Sequence, residues 1–393
     1  MSERVALPPV EPTTLKAQMQ RKLSGRELLG LLLQMGIGAV IGAATMILLL
    51  KGGAQLAPPE TNKALVVLLI VPALLAAMLV HFLVHELGHA LVGQWMGGRI
   101  LRVIVGPWRW ELFRSGYRRV RMRSLKGVGG MAQTILPDGP NFRRAFVCML
   151  LGGPLANLLL AAIVWLLLPL IGPWPLRLLA GVFVAIGLLI GLVNLLPFRS
   201  GGFQTDGLQL LKSFTDPQGL ATRRRVLRIA RASIDGMRPR DYDPVDLAAL
   251  DIDKSEGMEK LAAQMLHAGV AYDSGDLART RELLEPALAD WQKLPDGLRQ
   301  SLAMIAAHLS AELDRDPAMA REWLQRAEAG LSHPFEFDWV RACIADLEGN
   351  ATERDAALKR MHAALDDTVY LGEERVFREK MEGIKTSQVA APL

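Results

Sequence analysis

A chain of 393 residues is long enough for two or three domains. Hydrophobic residues make up 51% of it, and the mean hydropathy is positive, which argues against a purely soluble protein. The net charge of +5 is no nucleic-acid signature, because the basic excess is concentrated. Eleven Lys or Arg stand against Glu111 and Asp138 between Gly97 and Arg144, and five stand against Glu3 and Glu11 in the first 26 residues.

The leader, residues 1–26, is polar and basic. The apolar run that follows, Glu27 to Leu50, exceeds the roughly 7 to 15 residues of a signal core and is expected to be a retained anchor helix. Three more runs reach the roughly 20 residues that a bilayer demands: 64–96, 145–170 and 176–197. Basic residues flanking spans mark the cytoplasmic side. The segment 97–144 and the leader are therefore expected inside, and the weakly charged loops Lys51–Lys63 and Ile171–Pro175 outside. Four spans then leave both termini in the cytosol, in what is expected to be a bacterial cytoplasmic membrane. Cys148, within a span, and Cys343, far away, suggest no disulfide framework.

Between the second and third spans, "RILRVIVGPWRWELF" and "YRRVRMRSL" alternate β-branched or aromatic residues with arginine, which predicts strands. The glycines of "KGVGGMAQ" predict bends beside them. Two readings stand open: a hairpin lying on anionic lipid through its arginines, or a sheet edge beside an active site. After the last span the pattern becomes amphipathic helix. Residues 213–256 read as a linker carrying such a helix and an irregular Pro- and Asp-rich connector, Gly236–Gly257. Residues 257–380 read as a cytosolic helical domain, and 381–393 as a tail. Asp276, Asp316 and Asn350 are plausible helix N-caps spaced 40 and then 34 residues apart, and each follows another apolar-periodic helix. Helix pairs at this period resemble tetratricopeptide repeats, although an ordinary helical bundle gives a similar pattern.

The chemistry concentrates in "LVHFLVHELGHALVGQW", residues 79–95, where three histidines and a glutamate sit in an apolar run. Ionisable groups inside a membrane are costly and mark a functional interior by default. His85, Glu86 and His89 form H-E-x-x-H. On a helix, residues four apart share a face, so both imidazoles can reach one zinc while Glu86 approaches the water it activates. Zinc also needs a third protein ligand. Asp206 is the acidic residue near the end of the last span, on the side where His89 lies, and can complete a two-His, one-Asp site; as the first half of an Asp-Gly pair, it can equally be a turn or a cap. His81, one turn before His85, lies about 12 Å along the axis from His89 at roughly 1.5 Å per residue, too far for one ion to take both. A cavity-lining or supporting role is expected of it. The absence of histidines from the other spans argues against haem, and too few acidic or histidine residues are spread over the spans for a zinc transporter.

H-E-L-G-H at 85–89, G-P-x-x-N at Gly153, Pro154 and Asn157, and N-x-x-P followed by D-G at Asn194, Pro197, Asp206 and Gly207 together resemble the site-2 protease family of intramembrane zinc metalloproteases. The resemblance covers residues 64–212, on three successive spans. It implies a mainly α, polytopic membrane protein: a three-helix protease core plus one N-terminal span, a small β-hairpin or sheet after the H-E-x-x-H helix, and here a cytosolic repeat-like helical domain. It also implies His85, His89 and Asp206 as Zn2+ ligands, Glu86 as catalytic base, and Asn157 and Asn194 in support of substrate or of the active-site helices. The implied substrate is a transmembrane protein, with the bilayer as the medium and a cytosolic regulator as a partner of the helical domain. One departure stands out. The family pattern places its aspartate nearer the asparagine and after a leucine, whereas Asp206 follows Asn194 by twelve residues and is preceded by Thr205, so the "RSGG" stretch must loop out. The competing expectation is a degenerate protease serving as a membrane-anchored adaptor.

Overall fold

The computed structural model describes residues 60–389 apart from 122–129, 201–202, 253–256, 290, 292–293, 295 and 328–331. The leader and the expected span Glu27–Leu50 lie outside the described residues. Among the described residues, three helices are long and apolar enough to cross a membrane: α1 (Lys63–Trp95), α2 (Phe142–Leu167, prolonged to Leu170 by a 3-10 turn) and α3 (Trp174–Leu195). Their bounds agree with the three apolar runs read from the sequence. Between α1 and α2 runs a four-stranded antiparallel sheet of β1 (Arg99–Val105), β2 (Trp108–Phe113), β3 (Gly116–Arg121) and β4 (Gly130–Ile135), in the order β3-β2-β1-β4. The described end of the glycine-rich stretch, from Gly130, is thus an edge strand, and the expected bends before it lie outside the described residues.

The chain divides into two compact units. The first contains the helix portions up to His81 and from Asn157 to Val193. Ala77, Val182 and Ile186 form its core, with Ile70, Leu74 and Phe183 packed against them. His81 and Asn157 are fully buried there. His81 Nε2 donates to the Phe183 carbonyl at 3.0 Å, and its Nδ1 lies 3.2 Å from Asn157 Oδ1. Both His81 ring nitrogens are therefore engaged within this unit.

The second unit holds the ends of the spans, the sheet and the helical region. Val103 and Val105 of β1 pack on Ala90 of α1, with Phe82, Leu83 and Ala132 around them. The opposite face meets the end of the helix Pro217–Ile234 and the link between the last two helices: Leu101 and Ile135 are buried with Ile234, Val369 and Tyr370. Strict alternation would send Leu101 and Arg102 to opposite faces. A register shift between Ile100 and Arg102 breaks that alternation, and Arg102 also donates to the Tyr370 hydroxyl, at 3.2 Å. Arg102, Arg109 and Glu111 are all buried, with Arg102 Nη2 3.0 Å from Glu111 Oε1 and directly opposite it in the β1–β2 register. Burying a carboxylate requires such pairing. The arginines of the segment thus divide: these two are internal counter-charges, while Arg114, Arg118 and Arg119 are exposed.

After α3 the chain forms a short hairpin of β5 (Arg199–Ser200) and β6 (Phe203–Gln204), then α4 (Asp206–Thr215) and α5 (Pro217–Ile234). The connector read as irregular carries one 3-10 turn and the five-residue α6 (Pro244–Ala248). Among the described residues seven helices follow: α7 (Gly257–Asp273), α8 (Leu277–Ala289), α9 (Asp296–Glu312), α10 (Pro317–Ala327), α11 (Pro334–Leu347), α12 (Ala351–Asp367) and α13 (Leu371–Val389). The first six pack as sequential pairs, α7 with α8, α9 with α10 and α11 with α12. All three expected N-caps form: Asp276, Asp316 and Asn350 accept from the backbone N–H three residues on, at 2.9, 3.0 and 3.1 Å. The residue before each cap is left-handed, Gly275 at φ +81°, Arg315 at +52° and Gly349 at +72°, so one turn geometry recurs in every pair. The domain is bonded to the sheet: Arg114 N–H donates to the Asp367 carbonyl at 2.8 Å, Ser115 N–H to its carboxylate at 3.0 Å, and Arg118 pairs with the same carboxylate.

Candidate metal centre

Helix α1 carries His85 and His89 on one face because they are four residues apart. That face meets α2 where both helices lack side chains, since a β-carbon at Gly88 would fall 2.4 Å from the Gly152 carbonyl oxygen. The next residue, Gly153, leaves room for an imidazole: a β-carbon there would lie 2.5 Å from His89 Nε2. Gly152 and Gly153 thus let α2 approach both the helix and its ligand-bearing side chain. His89 Nδ1 donates to the Met149 carbonyl at 2.7 Å. A carbonyl only accepts, so the proton sits on Nδ1 and Nε2 is the bare nitrogen of the neutral ring. This is how a backbone acceptor selects the tautomer of a metal-binding histidine.

The hairpin accounts for the long spacing before Asp206. The Thr205 hydroxyl donates to the Leu196 carbonyl at 2.6 Å, and Thr205 N–H to the Phe198 carbonyl at 3.1 Å. Arg199 pairs with Gln204 and Ser200 with Phe203, so the chain returns on itself and resumes beside the end of α3. Thr205 then caps α4, accepting from Leu208 N–H at 3.3 Å, and Asp206 is the first helical residue. It turns inward: its Oδ2 lies 3.1 Å from His85 Nε2 and 3.3 Å from His89 Nε2. The two imidazole nitrogens are 3.1 Å apart.

These three atoms form a nearly equilateral triangle. Tetrahedral coordination with zinc bonds of roughly 2.0–2.1 Å sets donor atoms about 3.3 Å apart, so the triangle fits a single such ion with its fourth position left over. Among the described residues this is the group of His, Cys, Asp or Glu side chains that can hold a metal ion. Glu86 is buried beside it, within electrostatic reach of His89 and Asp206. Strand β4 lies against Glu86: the Ala132 backbone hydrogen-bonds its carboxylate, and a β-carbon at Gly130 would fall 2.6 Å from both its Cγ and its Oε1. Of the residues singled out from the sequence, the structure brings His85, His89, Asp206 and Glu86 into one unit. It puts Asn194 in the last turn of α3 and Asn157 against His81. Sequence reading missed Met149, whose contribution is a backbone carbonyl, and Gly130, whose contribution is the absence of a side chain.

Comparison with known proteins adds an independent finding. Residues 73–176 match the model of peptidase family M50. Peptidases of that family are generally zinc metalloproteases. The matched stretch contains H-E-x-x-H and G-P-x-x-N but ends before Asp206. Together with the three apolar helices it marks a membrane protein and supports a peptidase. No match is found among curated proteins or solved structures.

Proposed function

We propose that the protein is an intramembrane zinc metalloprotease of the site-2 type, hydrolysing peptide bonds in or next to transmembrane segments of membrane-protein substrates. The convergence of His85 Nε2, His89 Nε2 and Asp206 Oδ2 at 3.1–3.3 Å beside a buried glutamate is the observation that carries this reading. In it, His85, His89 and Asp206 hold Zn2+, which when bound supplies Lewis-acid polarisation of the scissile carbonyl and acidifies water. His89 keeps its bare nitrogen inward through Met149. Glu86 takes the proton of the attacking water and passes it to the leaving amine. The Ala132 N–H and the close approach of Gly130 hold its carboxylate in place.

A transmembrane helix hides its carbonyls in its own hydrogen bonds and must unwind before attack. Strand β4 is a sheet edge and also touches Glu86. A freed substrate segment added to it would lie beside the base, by strand addition. The β5–β6 hairpin supports the third ligand, because it removes the spacing on which the adaptor reading rested. Both termini face the cytosol of a bacterial cell in this reading, and the paired helices beyond α6 act as a tetratricopeptide-like platform for a cytosolic regulator.

The test is the Glu86→Gln chain, purified from native membranes. It should keep about one zinc per chain, retain a transmembrane protein and cleave nothing. Turnover by this variant would overturn the role of Glu86, and His85→Ala retaining its zinc would overturn the centre.

A further inference from the structure

Helix α4 has two finished faces and one that is not. Gly207 and Ser213 are buried, and Leu210 packs on a cluster containing Phe142, Phe146 and Leu150 of α2. Leu211 and Phe214, three residues apart and so on one side of the helix, are 47% and 61% exposed. The packing fixes the depth of that exposed side. Phe146 and Leu150 lie one and two turns inside α2, about 6 and 12 Å along its axis from Phe142, and α2 is one of the helices apolar enough to span a membrane. Helix α4 therefore lies at the level where α2 passes from its polar flank into its apolar stretch. Trp95, which ends α1, is 83% exposed, and the adjacent Met96 joins the same cluster. Arg143 and Arg144 stand exposed at the start of α2. Exposed aromatic and cationic side chains at one level are what a headgroup boundary selects.

We propose that α4 is an interfacial helix, with Leu211 and Phe214 buried in the boundary between headgroups and acyl chains of the leaflet that α2 enters. The occupant is lipid, because the apolar face continues the level of the spans and is rimmed by cations. The functional consequence, which rests on the zinc-site reading, is that the bilayer holds the third ligand. Asp206 is the first residue of α4, and a helix pinned along its outer face keeps its first turn against the histidines.

The experiment places a nitroxide on Phe214→Cys in the full chain, reconstituted into nanodiscs of phosphatidylcholine with phosphatidylglycerol. The unsubstituted chain, treated identically, gives the baseline from Cys148 and Cys343. Oxygen should relax the label more than a water-soluble nickel chelate, at a depth of roughly 5–10 Å below the headgroups. Nickel-dominated relaxation would place the face in water and overturn the proposal. Low access to both reagents would mean a protein covers it, and dipolar broadening would identify a second copy; either result overturns it too. The readout needs neither zinc nor catalysis, so a failed Glu86→Gln trapping experiment with a lipid-buried label would sink the protease reading and leave this inference standing.

Discussion

Gly130→Ala is the sharpest test of how the sheet serves the site. The added β-carbon would stand 2.6 Å from both Cγ and Oε1 of Glu86. Ordinary carbon contacts begin near 3.5 Å, so strand and carboxylate must separate by about 1 Å. Retreat of β4 is resisted by its pairing with β1 from Arg99–Ile135 through Val105–Gly130, and Glu86, 8% exposed, has little room to swing outward. A misplacement of about 1 Å costs on the order of 100-fold in rate, equivalent to about 2.7 kcal/mol of barrier. Overpacking adds roughly 1–3 kcal/mol of destabilisation. The expected result is a fall of about 100-fold in kcat, with KM for a transmembrane reporter little changed and zinc content intact, since no ligand is touched. Gly139→Ala is the control, because a β-carbon there meets nothing within 4 Å. The assay is reporter cleavage in proteoliposomes with metal analysis of the same sample. Near-normal turnover by Gly130→Ala would refute the claim that β4 positions Glu86, and loss of zinc would show that the strand supports the metal site instead.

Gly153→Ala should give the opposite signature, since its β-carbon would fall 2.5 Å from His89 Nε2; zinc content drops along with activity, and metal analysis checks it. Truncation after Asp216 removes Ile234, Val369 and Tyr370 from over Leu101 and Ile135. Uncovering two such side chains costs about 1.5–3 kcal/mol each, so proteolysis should disappear with the sheet, and an unregulated but active truncated enzyme in the reporter assay would contradict the packing. In the helical domain, Glu312 accepts from the Tyr272 hydroxyl at 2.5 Å, Trp339 Nε1 at 2.9 Å and Lys380 Nζ at 2.6 Å. Burial pushes its carboxyl up, but the hydrogen bond with His308 and the charge of Lys380 outweigh this and hold it at about 2. A depressed folded-state value adds stability above the unfolded value of about 4.3, lost as pH falls towards 2, on the order of 3 kcal/mol in all. Hydrogen-exchange protection factors across 296–347, corrected for the intrinsic rate at each pH, should fall in that window, and Glu312→Gln should flatten the dependence.

What the sequence made legible follows from what a local pattern can encode. The three described spans were readable because an apolar run of sufficient length has one economical environment. H-E-x-x-H was readable because its spacing alone puts two side chains on one helical face. The caps Asp276, Asp316 and Asn350 were readable because a cap bonds within its own first turn. Contributions defined by a missing atom or by backbone were not readable: Gly130 and Gly153 matter for what stands opposite them, and Met149 acts through a carbonyl that any residue carries. The twelve-residue interval from Asn194 to Asp206 looked like a defect until pairing of Arg199 with Gln204 showed that most of it is a loop. Nor did alternation along β1 disclose that a bulge sends both Leu101 and Arg102 towards Tyr370, since a bulge is a property of two strands.

That bulge has a mechanical meaning. Strand β1 is held on one side by Ala90, one residue beyond His89, and on the other by Tyr370 and Val369 near the start of α13. Strand β4, paired along β1, carries the backbone that touches Glu86. The helical region is therefore one wall of the support under Glu86. The buried Arg102–Glu111–Arg109 group stiffens this arrangement. A charged cluster taken out of water holds its geometry, because separating any partner leaves an uncompensated charge worth several kcal/mol. Arg102 ties β1 to β2 through Glu111 and to the helical region through the Tyr370 hydroxyl, so a displacement of Tyr370 would load β1, along which β4 is paired. Two buried arginines and a glutamate thus fix which residues of β1 and β2 stand opposite each other and beside Tyr370, a registry that apolar residues in the same places would not specify.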